Sequence, residues 1–346
     1  MREEERTMLK IKLSELPILF DALSDKNKLY IPADTKGGAR FLPYENGMTM
    51  TKELNTVRSP KDLFFPQTEN LMDFKLEGKK IEVIDTREEC EDFVIFGVRA
   101  CDVRSFEVLD RVFLSEPIDT YYKNRREHGV IVSLACNRPE ETCFCSTFDI
   151  DCANPEGDVA SYICGDEMYF EPLTEKGSEL LLNLSCLSEG SEAPVYECKR
   201  NIYEIKSKLP LSTLSAEKFG KNMTEYFNSD KWDELSEACL GCGTCTFVCP
   251  TCQCYDIKDF DTGNGIKRFR CWDSCMYSDF TKMAHGNPRV SQKERFRQRF
   301  MHKLVYYPMN NDGLFSCVGC GRCLSKCPIS MNIVKVMKKL GEGKDE

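Results

Sequence analysis

The sequence predicts an α/β domain over residues 1–220 followed by an α-helical, cysteine-rich domain over residues 221–346, an α/β or α+β fold class overall. Two observations in the first part lead to this expectation: two apolar runs of strand length, and a stretch of helical periodicity between them. In the second part, dense cysteine clusters interrupt a pattern that is otherwise helical. A length of 346 residues is enough for two or three domains.

The first elements of the α/β domain are predicted to be short. Ser14 is placed to cap a helix over LSELPILFDALSD (13–25), with Pro17 in the first turn, where proline is tolerated. KLYIPAD (28–34) and FLPYENG (41–47) have the character of strands, and the second ends in a turn.

The centre of the first domain is a strand–helix–strand unit. DFVIFGV (92–98) and GVIVSLA (129–135) are apolar runs of the length of buried strands. Between them, Val103, Phe106 and Leu109 recur at helical spacing. Elements in this order predict a βαβ unit with parallel strands.

The end of the first domain is less regular. The helical segment TEKGSELLLNL (174–184) is followed by the polar segment LSEGSEAPVYE (187–197), which predicts a loop. An amphipathic region over LSAEKFGKNMTEYF (214–227) then leads to Trp232 and the first cysteine cluster. We expect the domain boundary between residues 215 and 230, and helices punctuated by cysteine loops after it.

Composition argues against several classes of protein. A net charge of −9 and a pI near 5.2 argue against a nucleic-acid partner, which requires a basic surface. No apolar run approaches the ~20 residues that cross a bilayer, so we expect no membrane contact. The start, MREEERTMLK, lacks the apolar stretch of a secretory signal, so we expect a cytoplasmic protein. In that reducing compartment, 21 cysteines against three histidines predict thiolate-bound metal rather than disulfides.

The one internal repeat is a pair of cysteine ladders. Residues 239–250 read CLGCGTCTFVCP and residues 317–328 read CVGCGRCLSKCP, both C-x2-C-G-x-C-x3-C-P. Three closely spaced cysteines wrap a cubane cluster and turn backbone amides toward its sulfides, while the glycine relieves crowding. Zinc favours two C-x2-C pairs separated by a spacer, so a zinc-stabilised scaffold is the weaker alternative. The repeat therefore predicts two [4Fe–4S] clusters.

The order of cysteines in each ladder also predicts which of them share a cluster. In two-cluster ferredoxins, the fourth cysteine of each run ligates the other cluster. We therefore assign one cluster to Cys239, Cys242, Cys245 and Cys327, and the other to Cys317, Cys320, Cys323 and Cys249. The long separation between the ladders suggests intervening helices, as in an α-helical dicluster ferredoxin-like domain.

A third set of cysteines follows the two buried strands. Cys101 lies at the end of the first strand, and Cys136, Cys143 and Cys145 follow the second. Because the ends of adjacent parallel strands lie side by side, these four can meet and bind a third cluster. Cys152 is the reserve candidate for any one of the four positions. The alternative is that all five are buried structural thiols.

The other cysteines give weaker signals. Cys252, Cys254, Cys271 and Cys275 lie between the ladders, where they could hold a further cluster or pack inertly. Cys90, Cys164, Cys186 and Cys198 are isolated in the sequence and are predicted to be structural. The C-x3-C pair in sirohaem reductases is accompanied by a C-x5-C pair that this chain lacks, so we expect no sirohaem here.

Two further patterns concern partners. The chain has no G-x-G-x-x-G after a strand and no Walker motif, so we expect it to bind neither flavin nor NAD by itself. The basic run RVSQKERFRQRFMHK (289–303) carries Phe296 and Phe300 four residues apart. This run predicts a helix with one apolar stripe, whose charged face is either solvated or a docking face for an acidic partner.

Several blocks of the sequence resemble the family that comprises the dicluster electron-transfer subunit of anaerobic sulfite reductase and the sulfhydrogenase beta subunit. The blocks are FGVRACDVRSFEVLDRVF (96–113), ACNRPEETCFC (135–145), CLGCGTCTFVCPTCQCYD (239–256), CWDSCMYSDFTKMAHG (271–286) and SCVGCGRCLSKCP (316–328). Cys152 after CFC resembles the sulfite reductase branch more, whereas His285-Gly286 departs from the glycine pair that the family tends to have.

This resemblance implies a non-catalytic subunit of an oxidoreductase complex, with no catalytic residue of its own. Such subunits relay electrons from a flavin/NAD(P)H subunit to a catalytic subunit, which carries sirohaem in the reductase and nickel–iron in the hydrogenase. On this resemblance we expect a subunit of an NADH-dependent anaerobic sulfite reductase, with a cytoplasmic nickel–iron sulfhydrogenase as the alternative.

Overall fold

The computed structural model describes residues 8–87, 90–182 and 184–342. The segment MREEERT, on which the localisation prediction depends, lies outside these ranges. In chain order the strands are β1 (Met8–Lys12), β2 (Lys28–Ala33), β3 (Arg40–Pro43), β4 (Thr68–Glu77), β5 (Lys80–Asp85), β6 (Phe93–Arg99), β7 (Gly129–Leu134), β8 (Val159–Cys164), β9 (Glu167–Pro172), β10 (Ser188–Gly190), β11 (Tyr255–Asp261) and β12 (Gly265–Trp272).

Helices alternate with these strands at first and dominate the end of the chain. They are α1 (Leu16–Ser24), α2 (Lys61–Phe64), α3 (Ala100–Phe113), α4 (Thr120–His128), α5 (Glu175–Leu182), α6 (Ala193–Ser207), α7 (Met223–Phe227), α8 (Lys231–Glu237), α9 (Thr244–Phe247), α10 (Gln292–Met301), α11 (Tyr307–Asn310), α12 (Arg322–Ser325) and α13 (Ile333–Gly341). A π-helical turn over His302–Tyr306 joins α10 to α11. None of the helices in the described ranges is long and apolar enough to cross a membrane.

An eight-stranded mixed sheet forms the body of the first part, in the order β10-β1-β9-β8-β7-β6-β2-β3. Strands β2, β6, β7 and β8 are parallel neighbours. The predicted strand–helix–strand unit is confirmed as β6, α3 and β7, with α4 added before β7. Side chains of β6 alternate between two cores, with Val94 and Phe96 packed near α1 and Phe93 and Ile95 near α3. Burial on both faces explains the continuous apolar runs.

A second sheet, in the order β11-β12-β4-β5, joins the two parts of the chain. Strand β12 pairs antiparallel with β4, and Arg270 of β12 donates from Nε to Glu69 Oε2 of β4 at 2.6 Å. The expectation that only helices and cysteine loops follow the boundary at residues 215–230 is therefore wrong, because β11 and β12 lie after it. The missed signal is the alternation in YDIKDFD and GIKRFRCW around the turn TGN, a typical hairpin pattern.

Three smaller expectations are also corrected. Ser14 caps no helix, because α1 begins at Leu16 after a 3₁₀ turn over Leu13–Glu15, although Pro17 does lie in its first turn. The predicted loop 187–197 contains β10 and the start of α6. Only Met223–Phe227 is helical within the amphipathic region 214–227.

The helical part packs directly on the first part. Its core includes Trp232, Phe296 and Phe300, and the same core takes up Phe144 and Phe148 from the segment that follows β7. The predicted boundary near residue 220 stays a prediction, since a shared sheet and a shared core lie across it.

Candidate metal centre

The first ladder forms one wall of a cavity that also receives a cysteine from the second ladder. Its cysteines are Cys239, Cys242, Cys245 and Cys327, and Met276, Phe296, Arg299 and Met331 complete much of its lining. Gly241 and Gly243 adopt φ of +64° and +73°, which turn the ladder tightly before α9 begins. The Gly241 amide donates to Cys239 Sγ at 3.5 Å. The structure thus brings together all four cysteines that the sequence assigned to one cluster.

The second ladder lines a separate cavity in the same crossed manner. Cys317, Cys320 and Cys323 share this cavity with Cys249, the last cysteine of the first ladder. A Cβ on Gly319 would lie 2.4 Å from the carbonyl carbon of Phe144, so only glycine allows this approach. The second ladder is therefore packed tightly against the segment that follows β7.

A third cavity lies at the carboxyl ends of β6 and β7. It is lined by Cys101, Cys136, Cys143, Cys145, Cys152 and Cys320, together with Arg99. The parallel pairing of β6 with β7 explains why Cys101 and Cys136 meet. Arg99 donates from Nη1 to Ala135 O at 3.0 Å, which links the two strand ends. All five N-terminal candidates face this cavity, so the choice between Cys101 and Cys152 as a ligand stays open.

The three cavities share walls. Arg299 lines both the first and the second, and Cys320 lines both the second and the third. The Phe144 amide donates to Gly319 O at 2.9 Å, and Asn55 Nδ2 donates to Cys320 O at 3.2 Å. These bonds fix the second ladder against the third cavity, so the sites form one contiguous series.

Buried cations surround the ladders. Lys61, Arg299 and Lys303 are 2%, 2% and 3% exposed. Lys303 Nζ donates to Thr251 Oγ1 at 2.8 Å and to Ser316 O at 2.9 Å, while Lys61 Nζ donates to the carbonyls of Cys249 and Cys252. Within the described ranges, none of the three cations pairs with a carboxylate. A buried charge without a counter-ion costs several kcal/mol, so Arg299 and Lys303, which line the ladder cavities, call for negative charge in them.

The ionisation of Arg299 and Lys303 agrees with this requirement, whereas burial lowers the pKa of Lys61. Burial lowers the pKa of Arg299 and Lys303, but neighbouring cysteine thiolates raise it by more, so both stay charged. Burial raises the pKa of Cys136 to about 11 and that of Cys317 to about 12. Thiols with such pKa values release protons when they bind metal.

The arrangement fits a multi-atom cluster. Among the described residues, no three of His, Cys, Asp and Glu converge closely enough to hold a single metal ion. The cysteines instead surround common spaces, four around each ladder cavity and six around the third cavity, with Cys320 shared between two of the three. Thiolate sulfur, backbone amides and buried cations together suit an anionic iron–sulfur centre.

The cysteines between the ladders do not form one group. The thiol of Cys252 interacts with that of Cys249, and the thiol of Cys254 with that of Cys275. Cys271 lies on β12 opposite Asp256, and its charged neighbours include Lys258. The structure therefore does not bring Cys271 to the other three candidates.

Two features of the described chain were missed by sequence reasoning. Cys164 at the end of β8 and Cys198 of α6, predicted to be isolated, are interacting neighbours, and the Cys198 thiol donates to Ile163 O at 3.5 Å. Arg299 and Lys303 were treated as part of a charged helix surface, yet both are buried. Their spacing of three and seven residues from Phe296 places them on the apolar stripe, and this signal could have found them.

Comparison with known proteins adds the family. Residues 238–331 match a family described as a 4Fe-4S dicluster domain. The chain is also 31% identical, over 338 residues, to sulfhydrogenase 2 subunit beta of Pyrococcus furiosus, with 97% of this chain and 98% of the relative covered. The chain belongs to the sulfhydrogenase beta-subunit family. No solved structure matches it.

Family membership tests some of the predictions made from the sequence. The resemblance to sulfhydrogenase beta subunits is confirmed, as is the iron–sulfur character of the C-terminal part. The preference for the sulfite reductase branch finds no support, and the sulfhydrogenase alternative agrees better with the match along the whole chain. The number of clusters and their ligands stay predictions.

Proposed function

We propose that this chain is the electron-relay subunit of a sulfhydrogenase-type complex and holds three [4Fe–4S] clusters. The observation that carries the proposal is the contiguous series of three cysteine-lined cavities, in which each neighbouring pair shares a lining residue. A [4Fe–4S] centre accepts and returns a single electron. Centres held in neighbouring cavities suit passage of electrons through the chain.

The ligands proposed for the two ladder clusters follow the crossed pattern. The first cluster takes Cys239, Cys242, Cys245 and Cys327, and the second takes Cys317, Cys320, Cys323 and Cys249. The grouping of the same cysteines around two cavities supports this assignment.

For the third cluster we propose Cys101, Cys136, Cys143 and Cys145 as ligands. Cys152 also lines the cavity and its thiol interacts with that of Cys145, so it is the residue to test against Cys101. Single replacements by serine decide between them: Cys101→Ser is expected to lose the third cluster, and Cys152→Ser to keep it.

Residues of this chain control access to the proposed clusters. Phe144, Val318 and Ile333 exclude water from the second cavity. In contrast, Cys242 of the first ladder is exposed. The first site is therefore open to electron exchange with a partner, while the second is insulated by protein on its apolar side.

The partners follow from the family. We propose that a catalytic nickel–iron hydrogenase subunit lies on one side of the relay and a flavin/NAD(P)H-binding subunit on the other. The relative is a beta subunit, which supports assembly into a complex of several subunits.

Metal analysis tests the proposed cofactor content. The isolated chain, purified without oxygen, is expected to hold about twelve irons and about twelve labile sulfides, four per cluster. It should neither oxidise hydrogen nor reduce sulfite alone, and hydrogen-dependent electron transfer should appear when both partner subunits are added. An iron content of about eight atoms per chain would refute the proposed third cluster. A chain that contains zinc and no iron would refute the proposed electron-relay function. If the chain instead supported sulfite reduction by a sirohaem subunit, it would be assigned to the sulfite reductase branch of the family.

The crossed assignment has its own test. Because Cys249 is proposed to serve the second cluster, Cys249→Ser should remove the electron paramagnetic resonance signal of that cluster and spare the first. Cys271→Ser is the matched control, since Cys271 lies among charged residues on β12 and should be dispensable for iron. Loss of only the first ladder's signal in Cys249→Ser would contradict the crossed pattern.

A further inference from the structure

Arg299 occupies the wall between the first and second cavities. It lies on α10, lines both cavities and is 2% exposed. Cysteines of both sites interact electrostatically with its guanidinium, most strongly Cys245 of the first site and Cys323 of the second. Of the residues that line the two ladder cavities within the described ranges, Arg299 alone belongs to both.

The hydrogen bonds of Arg299 are incomplete within the described residues. Nη2 donates to Cys245 O at 3.0 Å, which fixes the guanidinium against the first ladder. Nε and Nη1 are buried and have no acceptor in the described part of the chain. A buried donor left without an acceptor costs about 1–3 kcal/mol, and more for a charged group. Two such donors on one charged group therefore point to acceptors inside the cavities.

We propose that Arg299 donates from Nε and Nη1 to cluster or thiolate sulfur in the two ladder sites and thereby raises the reduction potential of both clusters. This proposal rests on the proposed function, because it requires a cluster in each ladder cavity. Each one-electron reduction adds a negative charge to a cluster. A cation and N–H donors held in a medium of low dielectric constant stabilise the reduced form more than the oxidised form.

Arginine suits this position better than lysine. A guanidinium presents five N–H donors in a rigid plane and can serve acceptors on two sides, whereas an ammonium is a point charge. Lys303, one turn further along, lines only the second cavity, and two protein oxygens already hold its ammonium group. Lys303 supplies charge to one site, whereas Arg299 serves both.

The test is a redox titration, followed by electron paramagnetic resonance, of the full chain carrying Arg299→Gln or Arg299→Lys. In Arg299→Gln, the ratio of reduced to oxidised cluster at a fixed ambient potential should fall at least tenfold for both ladder clusters. A tenfold change is equivalent to about 59 mV for one electron. Arg299→Lys keeps the charge and loses the planar donors, so we expect a smaller fall. The third cluster should keep its potential in both variants.

Arg297→Gln is the matched control. Arg297 lies on the same helix, donates from Nη1 to Phe227 O at 3.2 Å and stacks over the Phe227 ring, away from the ladder cavities. Its removal should leave all potentials unchanged.

Distinct outcomes separate this proposal from the proposed function. Wild-type chain without ladder clusters would refute the proposed function. Wild-type potentials in either Arg299 variant with full iron content would overturn the tuning role and leave the relay intact. Loss of iron from both variants, in chains that stay folded, would assign Arg299 to cluster retention and would also overturn the tuning role.

Discussion

Arg322 and Asp102 form a buried ion pair close to the second and third cavities, where both line a smaller neighbouring cavity together with Thr56. Arg322 donates from Nη1 and Nη2 to the two Asp102 oxygens at 2.5 and 2.7 Å, and the two side chains are 2% and 1% exposed. Asp102 follows Cys101, and Arg322 lies between Cys320 and Cys323 of the second ladder. A single buried pair thus ties the N-terminal cysteine site to the C-terminal ladder.

Replacing Asp102 by asparagine should destabilise the whole protein. The substitution leaves Arg322 buried without a counter-ion, which costs about 3–5 kcal/mol. The free energy of unfolding in urea, measured on anaerobically purified protein, should fall by that amount. Glu156→Gln is the control, because the Glu156 side chain is 64% exposed in its pair with Arg104, and the loss of this pair should cost less than about 1 kcal/mol. A similar small loss in both variants would mean that the buried pair is not the link between the two sites.

At the scale of elements, the conformation of the second ladder loop depends on a position where no side chain fits. Gly319 has φ of +58°, and an added Cβ would meet Phe144 and Cys145 backbone at 2.4–2.5 Å. The contact is with main chain, which cannot move aside as a flexible side chain would. The loop of the second ladder and the segment after β7 therefore fit together only when this position is glycine.

Gly319→Ala should disturb the second and third cavities together. We expect loss of iron from both sites and a clear fall in thermal stability, because the ladder must move away from Phe144. Gly313→Ala is the matched control: Gly313 also has a positive φ, +84°, but an added Cβ would meet nothing within 4 Å. Comparison with this control separates the effect of the steric contact at Gly319 from the effect of placing alanine at a positive φ. Equal iron content in the two variants would contradict the proposed contact.

Sequence patterns predicted some elements better than others for physical reasons. The runs of β6 and β7 are buried on both faces, so their composition alone identified them. Strand β11 is largely exposed, and both β11 and β12 are rich in charged residues. Strand β12 pairs with β4, which lies about 200 residues earlier in the chain, and local sequence patterns cannot reveal such a distant pairing. The ladder cysteines could be identified from their spacing. Arg299 was missed because a charged residue is expected on a helix surface, although its position in the sequence places it on the apolar stripe.

At the scale of the molecule, the two parts of the chain interleave. Strands β11 and β12, from between the ladders, complete the sheet that β4 and β5 begin. Phe144, Phe148 and Ile150 of the first part are buried in the core of the helical part. The third cavity itself is closed by Cys320 from the second ladder. The N-terminal cysteine site is thus assembled from both parts.

This interleaving predicts that residues 1–220 do not fold independently into their native state. Expressed alone, this piece would expose the free edge of β4 and the apolar cluster around Phe144, and both features oppose a stable monomer. We expect a broad, uncooperative thermal transition and rapid amide hydrogen exchange in β4. The matched control is the same cut at residue 220 with both pieces produced together, which should restore the cooperative transition, slow exchange and iron at the third site.

A sharp transition and full protection of β4 in the N-terminal piece alone would show that the shared sheet and core are dispensable. The relay would then consist of two separable modules, and a cluster at the third site would have to form without Cys320 in its wall.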